Sequence, residues 1–438
     1  MKSNKASTKG LEFNEDFVTA HDFLENTQKN IFVTGKAGTG KSTLLKYFRE
    51  KTYKNVAVLA PTGVAAINIQ GQTIHSFFRF KPDITPEGVR EIRIPKYQRK
   101  IFENLDVIII DEISMVRADL LDCIELFLQL HGRYKDLPFG GVQMVFFGDL
   151  YQLPPVVTRD QRSIFTSVYK SPFFFDAKSF PFLDLKVIEL SKVYRQKEKD
   201  FVQLLNAIRN KTADFHDIKK LNQRFRPSIN LKDDEFYIFL TTTNAVADQI
   251  NQEQLKKLKT KSHRFEGELT GDFDYKSLPT NLILDLKEGA QVMLLNNDQN
   301  GRWVNGSLGK IVTIHETEPM ITVELADGDT VEVEAHAWEM YRYFYDEEQG
   351  RLDSESVGAF MQFPLRLAWA VTIHKSQGKT FSKVIVDMGA GAFSHGQTYV
   401  ALSRCTSFEG LLLRKPISKD HLRLDNRVID FMASLVGK

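Results

Sequence analysis

The sequence predicts a doubly wound α/β fold built as two parallel-sheet halves, with a small antiparallel β insertion in the second. Short apolar runs at Ile31–Thr34, Val56–Ala60, Val107–Ile110 and Met144–Phe147 alternate with amphipathic segments, the texture of buried parallel strands joined by helices. A second series, with strand candidates at Val187–Leu190, Tyr237–Thr243 and Lys383–Met388 and a polar helix after Asn244, repeats that texture. From about Asn297 to Gln362 the pattern changes to alternation, as in Ile321–Leu325 and Thr330–Glu334 around Asp327-Gly328-Asp329, which reads as antiparallel hairpins.

Each element has its local reason. Arg117–Leu130 sets Leu120, Leu121, Ile124, Phe127 and Leu128 on one face, as a helix packed on a sheet requires. The stretch 70–100 carries Pro82, Pro86 and Pro95 among many charges and reads as a loop-rich excursion from the first sheet. The expected boundaries are a first domain over 1–185, a second over 186–296 and 363–438, and the insertion over 297–362. A chain of 438 residues, 42% of them hydrophobic, is long enough for this division. A net charge of +2 does not draw the whole molecule onto a polyanion, so any nucleic-acid surface must be a local groove. Cys123 and Cys405 stand far apart in segments that read as helical, which fits buried thiols in a reducing compartment and excludes a cysteine metal site. The start lacks the apolar core of a signal peptide and no apolar run is long enough to span a bilayer, so a cytoplasmic protein is expected.

The chemistry begins at Gly35-Lys36-Ala37-Gly38-Thr39-Gly40-Lys41-Ser42, a phosphate-loop pattern placed after an apolar strand and before a helix opening at Thr43. Backbone N–H groups of the glycine-rich turn can wrap the phosphates, Lys41 can neutralise the β and γ groups, and the Ser42 hydroxyl can ligate magnesium. A nucleoside triphosphate with Mg2+ is therefore the expected ligand. Asp111 and Glu112 end the run Val107–Ile110 at the strand edge where α/β sheets bind ligands. An Asp-Glu pair alone fits a helix N-cap equally well. Beside a P-loop, Asp111 suits the metal shell and Glu112 the general base for an attacking water. Gln152, in Gly148-Asp149-Leu150-Tyr151-Gln152-Leu153-Pro154-Pro155, fits either a water-orienting amide or a surface glutamine after a proline-terminated strand. The second half has no P-loop, so it can close over a single triphosphate as a lid and present arginines to it. Arg195 and Arg404 lie in that half, but among 58 Lys and Arg residues nothing local sets them apart from surface charges.

For nucleic acid, Thr62, Gly63, His75 and Ser76 near strand ends, with Thr372, His374, Lys375 and Ser376 in the second half, supply short donors for phosphate oxygens. Phe77, Phe78 and Phe80 alternate with Arg79 and Lys81, which fits a base-stacking platform or core packing equally.

Taken in order, these segments resemble the PIF-type DNA helicases of superfamily 1B over nearly the whole chain. The resemblance rests on the P-loop and Asp111-Glu112, Ala60-Pro61-Thr62-Gly63-Val64-Ala65-Ala66, Thr73-Ile74-His75-Ser76-Phe77, and Gly148-Asp149 with Gln152-Leu153-Pro154-Pro155. It continues in Thr372-Ile373-His374-Lys375-Ser376-Gln377-Gly378 and Val400-Ala401-Leu402-Ser403-Arg404-Cys405. Glu112-Ile113-Ser114-Met115 through Pro138-Phe139-Gly140-Gly141 is similar to a signature that separates this family from RecD-type enzymes. It implies two RecA-like domains with ATP between them, 5′-to-3′ movement on single-stranded DNA, and unwinding of duplexes and G-quadruplexes, by a monomer that DNA can pair into a dimer. It implies arginine fingers at Arg195 and Arg404, coupling of hydrolysis to movement through Gln152, and base stacking by Tyr194. Gly378 joins the nucleotide site, and Val64 and Phe77 join the DNA contacts. The 70–100 excursion becomes a strand-separating wedge and the β insertion a Src-homology-3-like barrel. The chain departs from the family where a glutamine usually reads adenine: here the stretch is Phe13-Asn14-Glu15-Asp16-Phe17, so base selectivity is open. An RNA helicase of the same superfamily and a nucleotide-switched clamp are the alternatives, and an intact Glu112 argues against the clamp.

Overall fold

The computed structural model describes residues 14–157, 165–196, 198–228, 235–315, 318–389, 391 and 394–435. The first half holds strands β1 (Ile31–Gly35), β2 (Val56–Ala60), β3 (Gln72–Thr73), β4 (Val107–Ile110), β5 (Gln143–Phe147) and β6 (Lys186–Leu190). They form a six-stranded sheet of order β3-β2-β4-β5-β1-β6, parallel throughout. Strand residues alternate between two cores, as a side-chain period of two demands. Ile108, Ile110, Met144, Phe146 and Phe32 enter one face's core, and Val107, Ile109, Val145, Phe147, Ile31 and Val33 enter the other's. Both faces are covered, which is why these runs are apolar without interruption.

Lys186–Leu190 corrects the expected boundary. It pairs with β1 from Ile31↔Lys186 to Gly35↔Leu190, so the first sheet runs on through Leu190 and the second half opens after it. The 70–100 stretch is helical where loops were expected, with helices Ile74–Phe78, Pro86–Glu91 and Lys96–Asn104. Two of its prolines start helices: Pro95 stands just before Lys96–Asn104, and Pro86 stands in the first turn behind Thr85, whose Oγ1 accepts from Gly88 N at 3.2 Å. Phe77, Phe78, Phe80, Phe102 and Phe127 interlock beneath these helices, mostly edge to face.

The second half carries a parallel sheet ordered Ala370–Thr372, Ile238–Thr241, Val384–Val386, Leu411–Leu413. Its core takes in Phe201, Leu204, Leu205, Leu240, Val384, Val400 and Leu402. The insertion is a five-stranded antiparallel sheet with its own core of Val292, Ile311, Ile321, Val323, Val333 and Leu365. It reaches beyond the expected 297–362, because Gln291–Leu294 and Leu365–Leu367 pair at one side of it. Much of the expected insertion instead forms a long ribbon, His336–Asp346 paired with Arg351–Gln362. Trp338 and Phe360 stack in the second half's core. Tyr343, further along, is buried in the first half, where its Oη accepts from Val58 N at 2.9 Å, and Leu352 N donates to Asn55 Oδ1 at 2.7 Å. Cys123 lies in helix Ala118–His131, as expected. Cys405 stands past helix Gln397–Ser403 in a bridge with Phe381, and both thiols are buried and free.

Candidate nucleotide and DNA cleft

The strand order sets the site. Along the carboxyl edge of the first sheet stand, in turn, Thr73–Ser76 after β3, Thr62–Val64 after β2, Asp111-Glu112 after β4, Gly148-Asp149 after β5, the P-loop after β1, and Tyr194-Arg195 beyond β6. The first half's expected DNA contacts thus lie at one end of this edge, the phosphate loop towards the other, and Glu112 between them.

Gly35, Gly38 and Gly40 have φ of 146°, 80° and 90°, conformations that side chains resist. Gly40 precedes helix Lys41–Lys51 with no side-chain cap, which leaves the first N–H groups, with Ser42 and Thr43 exposed in that turn, for a phosphate. Lys41 Nζ donates to Gly35 O at 2.7 Å and Lys36 O at 3.0 Å. Burial lowers its pKa, while Asp149, Glu112 and Asp111 pull it back up. Thr39 Oγ1 donates to Lys36 O at 3.0 Å, and Ala37 N donates to Tyr399 Oη at 3.3 Å, which ties the loop to the second half.

Glu112 occupies the left-handed region at φ 51°, ψ 44°, a strain of about 1–2 kcal/mol for a side-chain-bearing residue. Burial first, then the neighbouring Asp111, lifts its carboxyl to about 7; burial likewise raises Asp111. Two crowded carboxyls on the sheet edge that also carries the exposed Ser42 hydroxyl are of the kind that suits a dication held partly by phosphate oxygens, so Ser42 and Asp111 fit magnesium. The Glu112 Oε2 accepts from Gln377 Nε2 at 3.1 Å, across the cleft.

The second half supplies both candidate arginines. A Cβ on Gly38 would stand 2.5 Å from the Cβ of Arg195, and Tyr194 N donates to Gly38 O at 2.9 Å, so this segment lies on the P-loop. Arg195 reaches Gly378 O at 3.3 Å and Ser403 O at 3.5 Å. Arg404 is 1% exposed, and burial, then Arg195, pushes its pKa down to about 9. Gln152 is buried, not a surface glutamine, and donates to Asp149 Oδ2 at 3.3 Å. Gln377, Arg209 and Tyr399 were missed as site residues. Gln377 was legible as part of the segment ending at Gly378, but nothing local says that it reaches Glu112.

On the DNA side, Thr62, Val64, Ser76 and Lys375 are exposed, and His75 and His374 are half-buried. Gly63 lies under Ser277, whose Oγ stands 1.8 Å from where a Cβ would be. The stacking platform is corrected: Phe77, Phe78 and Phe80 are at most 6% exposed, and core packing takes all three. Thr372 and Ser376 are also buried. Thr372 Oγ1 accepts from Lys375 N at 3.3 Å and Ser376 Oγ donates to Ile373 O at 2.8 Å, so both hydroxyls shape the turn that presents Lys375.

A PIF1-like helicase domain matches residues 16–219. Unliganded Pif1 from Bacteroides sp superposes with a TM-score of 0.89 at 38% identity, covering 98% of both chains. The chain belongs to the PIF1-like helicase family. Human ATP-dependent DNA helicase PIF1 is 35% identical over 423 residues, which span 93% of this chain and 61% of that protein's length. The Bacteroides Pif1 helicase in complex with ADP-AlF3 and ssDNA has the same 38% identity and 98% coverage but a TM-score of 0.70. At equal identity and coverage, this PIF1-like chain is closer in arrangement to the unliganded relative than to that complex with ssDNA. Among the described residues no helix is long and apolar enough to cross a membrane.

Proposed function

We propose that this chain is an ATP-hydrolysing DNA helicase that moves 5′ to 3′ along single-stranded DNA and separates duplexes and G-quadruplexes. The observation that carries the reading is the Gln377 Nε2 to Glu112 Oε2 hydrogen bond. It joins the residue placed to activate water to the turn that carries Lys375, so occupation of the DNA groove and readiness for hydrolysis share one contact. Similarity to proteins named ATP-dependent DNA helicase, and to one solved with a nucleotide analogue and ssDNA, supports the same reading.

In this reading the P-loop amides and Lys41 hold the triphosphate, and Ser42 and Asp111 hold magnesium, which supplies charge neutralisation at the phosphates. Glu112 takes a proton from the water that attacks the γ-phosphorus, and ADP leaves. Arg195 and Arg404 stabilise the spreading charge, and Gln152 carries the change to the DNA groove. Tyr194, 44% exposed over Gly40, stacks on the base. The helices between Ile74 and Asn104 serve as the strand-separating wedge, and buried free thiols suit a cytoplasmic setting.

Duplexes with single-stranded tails test the proposal. With ATP and magnesium, a 5′-tailed duplex is expected to open and a 3′-tailed one to stay closed. Opening of only the 3′-tailed substrate would overturn the polarity, and stronger stimulation by RNA than by DNA would overturn the substrate.

A further inference from the structure

Helix Lys199–Arg209 belongs to the second half, where Phe201, Leu204, Leu205 and Ile208 pack into the core. Its last residue leaves that core for the first half. Arg209 is 5% exposed, and its Nη2 donates to Asp149 Oδ1 at 2.9 Å. Its guanidinium carbon lies 3.9 Å from the centroid of the Tyr151 ring, and its Nε has no acceptor among the described residues. Asp149 is enclosed at 1% exposure and has two further tasks: Oδ1 accepts from Tyr151 N at 3.2 Å and Oδ2 from Gln152 Nε2 at 3.3 Å. Asp149 also stands beside the phosphate loop: β5 and β1 pair at Val33↔Phe147, and Asp149 lies two residues past Phe147 as Gly35, whose carbonyl holds Lys41 Nζ at 2.7 Å, lies two past Val33. Lys41 nonetheless stays on the Gly35 and Lys36 carbonyls.

A carboxylate removed from water demands a counter-charge; Arg209 is bonded to it, and Lys41 is held on the neighbouring strand end at Gly35 O. The planar fork of Arg209, stacked on Tyr151, is already desolvated and oriented; the flexible ammonium of Lys41 would have to leave the phosphate loop. We propose that Arg209 is a positioning residue that neutralises Asp149, so that Asp149 orients Gln152 without drawing Lys41 away from the triphosphate. The proposal rests on the reading of the cleft as an ATP site and adds a group outside the segments that carry the family resemblance. Without Arg209, Asp149 competes with the phosphates for Lys41, which weakens nucleotide binding. Neutralising Asp149 as well removes the competitor.

The test is binding of a fluorescent ATP analogue with magnesium, which needs no turnover, alongside ssDNA-stimulated hydrolysis and thermal unfolding. Arg209→Met is expected to weaken analogue binding about tenfold, and Asp149→Asn added to it to return binding to within about threefold of the unaltered chain. Arg209→Lys keeps the charge, so it is expected to bind within about threefold but to lose about tenfold in kcat, because an ammonium does not hold Tyr151 and the Gln152 loop as a stacked fork does. If Arg209→Met does not fold, Arg209→Gln, which keeps donors but no charge, takes its place with the same expected loss. Wild-type binding by Arg209→Met, a double variant as weak as the single, or losses that follow melting temperature across all variants would each overturn the proposal. An unaltered chain that binds the analogue but hydrolyses nothing on ssDNA would instead overturn the helicase reading and leave the binding comparison intact.

Discussion

Replacing Arg404 with methionine separates what this residue does for the fold from what it does for turnover. Its guanidinium is enclosed, yet every hydrogen-bond partner is neutral: Val400 O at 3.0 Å, Ser403 Oγ at 2.9 Å, Lys379 O at 3.3 Å and Ser376 O at 3.5 Å. No carboxylate lies within ion-pair distance of it among the described residues; burial, then Arg195, works against its charge, and Tyr399, Glu112 and Asp149 favour it only from further off. Methionine fills a similar volume. The lost hydrogen bonds cost about 0.5–1.5 kcal/mol each, and relief from holding an unpaired charge out of water offsets them by several kcal/mol. The net change is expected within about 2 kcal/mol of zero, or a shift of a few degrees at about 2–4 °C per kcal/mol. Turnover should behave otherwise. A cation that stabilises γ-phosphoryl charge contributes about 10³–10⁵ in rate, which at about 1.36 kcal/mol per decade is about 4–7 kcal/mol. Scanning calorimetry and ssDNA-stimulated ATPase on one preparation read both quantities, and fluorescent nucleotide binding should stay near that of the unaltered chain. Turnover within about tenfold of normal, or a melting temperature about 10 °C lower with activity falling in proportion, would refute the assignment.

Two further perturbations address the base and the ribbon. With its carboxyl raised to about 7, Glu112 is protonated and idle at lower pH, so kcat/KM should rise as pH passes through about 7 and then level off. The limb belongs to the Asp111-Glu112 pair, and a Glu112→Gln enzyme with the same rising profile would remove Glu112 from the role. Tyr343→Phe removes the acceptor for the buried Val58 N–H, at a cost of about 1–3 kcal/mol. Faster hydrogen exchange at the Val58 amide and a lower first-half melting transition are expected, with P-loop nucleotide binding unchanged; an unaltered Val58 amide would mean that the hydroxyl does not hold the ribbon to β2.

Much of the cleft was legible because its cues are local. Gly35, Gly38 and Gly40 must adopt left-handed backbone wherever the loop ends up, and Val107–Ile110 reads as a two-face-buried strand before its neighbours are known. Asp111 and Glu112 follow one residue later and inherit that edge. The misread elements were those whose pattern is the same in two environments. Val187–Leu190 alternates identically whether it closes the first sheet or opens the second, and only its pairing with β1 decides. Phe77, Phe78 and Phe80 carry the same apolar rings as platform or as core, and the helices folding over them decide.

By itself, then, the sequence determined the phosphate loop, the acidic strand end, the two parallel-sheet halves and the family resemblance, since each is written within a few consecutive residues or in their order. Tertiary structure alone decided that Gln377 meets Glu112, that Arg209 rather than Lys41 satisfies Asp149, and that Tyr194 N donates to Gly38 O. These are contacts between residues far apart in the chain. They exist only because burial forces charged and amide groups to find partners across the cleft, and no local pattern encodes which partner that will be.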